Sequence, residues 1–264
     1  MVLFLFLSHL GLGVIFTLVF VSRDAGVKFF RFNAGLAAIL VAAGFVFHPS
    51  DAGASLAARV ALAALGIAGA AAAVYWATVG RTLRALRPAI VATAVAAGLV
   101  AIVAQALDAV AGRAITVQAM TIASFLSSAA LLGGACTAMI LGHWYLVIPS
   151  MEVSHLQSIV KLHMASLIVR IAVVAAAVVL AIATWQPGLG PSFSRYISSV
   201  AGVFFWQRVL FGLAGPALLS YLTWETAKIR STQSATGILY VDFFTVIVGE
   251  VLAKYILLAT RVPV

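Results

Sequence analysis

The sequence predicts an all-α fold, a polytopic integral membrane bundle of about eight transmembrane helices, and three observations predict it. Hydrophobic residues make up 64% of the 264 and charged residues only 9%, whereas soluble domains are about half apolar and a quarter charged. The mean hydropathy is +1.16. Apolar runs repeatedly reach the roughly 20 residues that cross a hydrocarbon core at about 1.5 Å per residue. Residues 1–264 therefore read as one transmembrane domain in contact with a lipid bilayer.

Apolar length, turn residues and charge set spans at about 2–21, 29–47, 57–79, 88–108, 118–142, 157–184, 198–222 and 236–259. The first has no positive charge before it and no small-residue cleavage site. Its basic residues Arg23, Lys28 and Arg31 follow it, so it is expected to be an uncleaved helix. Breaks fall at His48 to Gly53, Arg81 to Pro88, Gln186 to Pro191 and Lys228 to Ser234, where turn residues cluster. Such short connections predict antiparallel hairpins. Spans three and four are rich in Ala, with Gly66, Gly69 and Gly98, and Gly133-Gly134 interrupts span five. Small residues let helix backbones approach closely in lipid. No repeat of fixed period stands out.

The net charge of +9 does not point to nucleic acid, because the basic residues sit in short connections and not on one exposed face. It points to topology. Odd-numbered loops carry nine Lys and Arg, including Arg81, Arg84, Arg87, Lys161, Lys228 and Arg230; even-numbered loops and the tail carry four, Arg59, Arg113, Arg195 and Arg261. That bias predicts cytoplasmic odd loops and non-cytoplasmic N- and C-termini, in a multi-pass protein of a bacterial inner (cytoplasmic) membrane. The single Cys136 lies inside an apolar run, as a structural thiol.

Three of five histidines fall between Gly142 and His163, beside Trp144, Tyr145 and Pro149. Ser154-His155-Leu156-Gln157 has the capping-box pattern, which would start helix six at His155. Helical spacing then aligns His155, His163, Ser166 and Arg170 on one stripe, and Thr121, Ser124, Ser128 and His143 on another. His143 and His163 have similar predicted depths, as ligation of haem b by two imidazoles would require, and His9 with His48 forms a second candidate pair. The same stripes would suit a quinone headgroup, with Trp144 and Tyr145 as an aromatic wall and Arg170 or Lys161 facing an anionic group. Both aromatics also favour membrane interfaces without any ligand.

Arg170, Arg208, Asp242, Glu250 and Lys254 lie within apolar spans, where each charge needs a partner or water. Depth counted from the span edges pairs Arg208 with Glu250 and Arg170 with Asp242. Glu250 and Lys254 share a helix face at i, i+4. Such pairs would brace the bundle or carry protons.

The leading expectation is a subunit of a respiratory-type electron-transfer system, binding quinone, haem b or both at the cytoplasmic hairpin of helices five and six. Such a chain would need further subunits of a membrane complex, as a non-autonomous quinone-linked oxidoreductase component. Two alternatives stand beside it. One is a small-solute or proton-coupled transporter using the intramembrane Arg, Asp and Glu pairs; the other is a structural or assembly subunit. Walker, GxSxG and HExxH signatures are absent from the sequence, so an autonomous ATPase or hydrolase is not expected.

Overall fold

A computed structural model describes residues 1–48, 55–148, 152–185 and 192–264, all of them in helices, turns or irregular segments and none in a strand. The long helices are α1 (Val2–Leu18), α2 (Gly26–Val46), α3 (Leu56–Thr78), α4 (Arg87–Ala109), α5 (Ile115–Val147) and α6 (Val153–Ala183). A short α7 (Phe193–Ile197) leads into α8 (Val203–Val209) and α9 (Gly215–Lys228), and α10 (Thr232–Thr260) follows. Seven helical stretches are long and apolar enough to cross a membrane, and α1 is a shorter apolar helix of 17 residues. The chain is a polytopic helical bundle.

The bundle is built around α1 and α5. In α1, 13 of the 17 residues are buried, and 83% of the apolar core of α5 is buried, against 28–39% in the other long helices. Glycine makes the central contact possible: a Cβ on Gly13 would lie 2.1 Å from the Ala129 carbonyl oxygen, and one on Gly133 would lie 2.1 Å from the Gly13 backbone. Packing substitutes here for the water exclusion that drives soluble cores. Because protein surrounds α1, its length need not match the bilayer.

Alternate connections gather at opposite faces. His155, at the start of α6, lies 3.2 Å from Asp24 in the α1–α2 turn, and the Gln157 amide donates to the Ala227 carbonyl near the end of α9 (3.3 Å). At the opposite face, Ser55 caps α3 by accepting from the Ala58 N–H (2.9 Å) and donates to Asp108 at the end of α4 (2.6 Å). The basic residues of the odd connections thus share one face.

Two local expectations are corrected. Helix six starts at Val153, with Glu152 at its N-cap position and no side-chain cap. Ser154 instead donates to the Glu152 carboxylate (3.2 Å). The Tyr145 hydroxyl takes the Leu156 N–H (3.2 Å) and donates to the Glu152 carbonyl, satisfying from α5 a donor that a cap would otherwise serve. Pro149 and its two successors, like most of the His48–Gly53 and Gln186–Pro191 breaks, lie outside the described residues.

The seventh span is not one continuous α-helix. Between α8 and α9 the backbone widens into a π-turn at Leu210–Ala214, with the Gly215 N–H donating to the Leu210 carbonyl. Pro216 follows directly and has no N–H to continue α-type bonding. The wider turn takes up the mismatch.

Candidate functional site

Glu250 is fully buried on α10 and gathers side chains from four helices. Its Oε1 accepts from Arg170 Nε of α6 (2.9 Å) and Arg208 Nη2 of α8 (2.9 Å). Its Oε2 accepts from Ser128 Oγ of α5 (2.5 Å), Arg170 Nη2 (3.2 Å) and Lys254 Nζ one turn further along α10 (3.2 Å). Lys254 also donates to Ser128 Oγ, and the His9 ring of α1 lies 3.4 Å from that same oxygen. His9, Ser128, Arg170 and Glu250 each sit within about one turn of the middle of their helices. The site lies midway along these helices.

Local sequence makes room for this crowd. Ser124, Ser127 and Ser128 stand at i, i+3 and i+4 on α5, which puts their hydroxyls on one face. Arg170 Nη1 donates to the Ser124 carbonyl (3.1 Å), Ser124 Oγ (2.8 Å) and Ser127 Oγ (3.4 Å), and Nη2 donates to the Val264 carbonyl (3.3 Å). A Cβ on Gly249 would lie 2.1 Å from Gly212 Cα, and one on Gly212 would lie 2.2 Å from Arg208 Nη1. Two glycines therefore leave the space in which the Arg208 guanidinium reaches Glu250.

The side-chain charges do not balance among themselves. Arg170, Arg208 and Lys254 surround one carboxylate, which leaves a formal surplus of two positive charges among fully or almost fully buried side chains. Arg208 Nε and Nη1 have no hydrogen-bond partner among the described residues. Uncompensated charge in a dry interior is unfavourable by several kcal/mol.

A second pair lies two turns nearer the basic face. His163 Nε2 is 2.7 Å from Asp242 Oδ2, with both side chains fully buried. The contact has ion-pair distance without hydrogen-bond alignment, and neither residue has another side-chain partner among the described residues. Helices α6 and α10 run in parallel, so equal counts from their starts give equal depth. His163 and Asp242 each lie 10 residues in (163 − 153 and 242 − 232), while Arg170 and Glu250 lie 17 and 18 in (170 − 153 and 250 − 232).

The expected contacts of Arg208 with Glu250 and of Glu250 with Lys254 are present. The expected Arg170–Asp242 pair is not, because each finds a partner at its own level: Glu250 for Arg170 and His163 for Asp242. His143 and His163 are not brought together. The exposed His143 Nδ1 is 2.8 Å from the Tyr240 hydroxyl, whereas His163 meets buried Asp242. Positions two apart on a helix point about 200° from each other, so the two imidazoles address different sides of α10.

His9 packs edge-on against Phe125 of α5, and His48 against Phe4. The five histidines thus have five different neighbourhoods, and no facing imidazole pair suited to haem iron appears among the described residues. Trp144 packs on Phe29, and Tyr145 closes the α5–α6 hairpin. Lys161 and Lys228 both lie over the Trp224 ring, at 5.0 and 5.4 Å. Ser127, Tyr240 and the Gly212–Gly249 contact were not singled out from sequence; paired glycines inside apolar runs were the available signal.

The chain matches no known protein family, and no curated protein is similar to it in sequence.

Proposed function

We propose that this chain is a proton- or anion-coupled transporter of a cytoplasmic membrane, working through the Glu250 network. The observation that supports this reading is the surplus of buried positive charge around one carboxylate midway along its helix. Either an incoming anion or release of the Lys254 proton removes one of those charges. Lysine changes its protonation state when buried far more readily than arginine does, so Lys254 is the proton carrier in this scheme and the two arginines are fixed. Intramembrane ionisable groups of this kind commonly mark ion or proton pathways. The basic face is the cytoplasmic one on the same reading.

Purified protein in liposomes carrying a trapped pH dye, under a potassium diffusion potential, tests this. Proton movement, or uptake of one member of a panel of chloride, nitrate, phosphate and acetate, is expected. Lys254→Met abolishes it while the protein stays folded, since that change lowers the surplus charge. Flux no greater than in protein-free liposomes for every ion overturns the proposal.

One observation favours a narrower electron-transfer reading. The exposed His143–Tyr240 pair offers a ring nitrogen and a hydroxyl at the edge of the bundle, a donor set that fits a quinone carbonyl. Quinone co-purifying with the protein and lost in His143→Ala supports that reading; its absence from lipid extracts removes it.

A further inference from the structure

At the face opposite the basic one, a cleft of about 380 Å³ opens between the ends of α5, α6 and α10 and the short α7. That volume lies in the range of ligand pockets. Much of its lining is apolar and aromatic, with Met120, Phe193 and Trp185 among the side chains. Arg113 and Arg261 stand at its edge, and the same two residues line an adjoining cleft of about 300 Å³. The two arginines therefore face the same pair of clefts.

Neither guanidinium has a carboxylate within ion-pair distance among the described residues. Asp108 lines the adjoining cleft, but its carboxylate accepts from Ser55. A second observation is independent of the charges. The Tyr196 side chain lines the larger cleft, and its buried hydroxyl has no partner among the described residues. Burial also raises the Tyr196 pKa, which keeps the hydroxyl protonated and able to donate. Two cations and an unused donor beside an apolar slot form an arrangement with head and tail.

We infer that this cleft binds an amphiphilic anion, a carboxylate or phosphate on an apolar body, with its head between Arg113 and Arg261 and its body against Phe193 and Trp185. An anion in the cleft can take charge-assisted hydrogen bonds from both guanidinium groups. The site is separate from the Glu250 network and stands whether or not that network transports anything. Free fatty-acid-like anions and anionic lipids share this chemistry.

Binding is measured on the full chain in nanodiscs of neutral phosphatidylcholine, by displacement of dansyl-undecanoic acid. Decanoate and phosphatidylglycerol are the two competing arms, and decanol is the neutral control. Competition by decanoate identifies a free amphiphile, and competition by phosphatidylglycerol alone identifies a lipid; decanol competes with neither probe nor anion. Arg113→Gln combined with Arg261→Gln weakens the anion by about tenfold or more, and Tyr196→Phe weakens it less. Arg59→Gln, on α3 outside the cleft, leaves it unchanged. Equal displacement by decanol and decanoate, or an unaltered affinity in the double variant of normal thermal stability, overturns the inference.

Discussion

The two polar levels shared by α6 and α10 differ in how completely they are satisfied. At the Glu250 level every carboxylate oxygen is engaged, three serines of α5 supply further contacts, and Arg170 uses all its donor nitrogens. At the His163 level, two turns away on the same helices, one imidazole faces one carboxylate with poor alignment and no support. The difference follows from residue type. Histidine can shed its charge, so its pair tolerates a loose arrangement; arginine cannot, and Arg170 is surrounded by partners while Arg208 holds Glu250 through Nη2 alone.

The largest expected effect comes from removing the single anion. Glu250→Gln strands three cations and lowers stability by about 3–5 kcal/mol, read as a large drop in the thermal unfolding midpoint in detergent. Adding Lys254→Met to that variant recovers part of the loss. A smaller effect comes from crowding: Gly249→Ala pushes the α10 backbone away from Gly212 and costs about 1–3 kcal/mol, with the same unfolding measurement as its check. Asp242→Asn is the mildest, about 1 kcal/mol or less, because His163 still has a hydrogen-bonding side chain opposite. Equal losses in Asp242→Asn and Glu250→Gln would erase the contrast between the levels.

The bundle was legible because hydropathy and punctuation act over whole helices, where errors of a few residues average out. Arg208 and Glu250 were legible together because their helices are antiparallel neighbours and both residues lie about ten positions from the same predicted edge. Arg170 was paired with Asp242 because depth was judged coarsely. Counting from the observed starts of two parallel helices gives Glu250 instead.

Other features carry no pattern that depth alone can read. The π-turn arises from Pro216 meeting Gly212 and Gly215 within one apolar span, and the capping-box failure arises from a tyrosine hydroxyl seven to eleven positions earlier in the chain. His143 and His163 looked alike in depth, yet depth says nothing about azimuth. Opposite sides of α10 separate them.

The enclosure of α1 has a consequence for how the protein is made. This helix leads the described chain but packs against α5 and α10, so its final neighbours are synthesised long after it. Until they arrive, His9 faces lipid or an insertion factor without Ser128 beside it. Assembly therefore cannot proceed as two independent halves joined at the end. Helix α1 has α2 against it from the start, and the polar contact of His9 forms only when α5 and α10 follow.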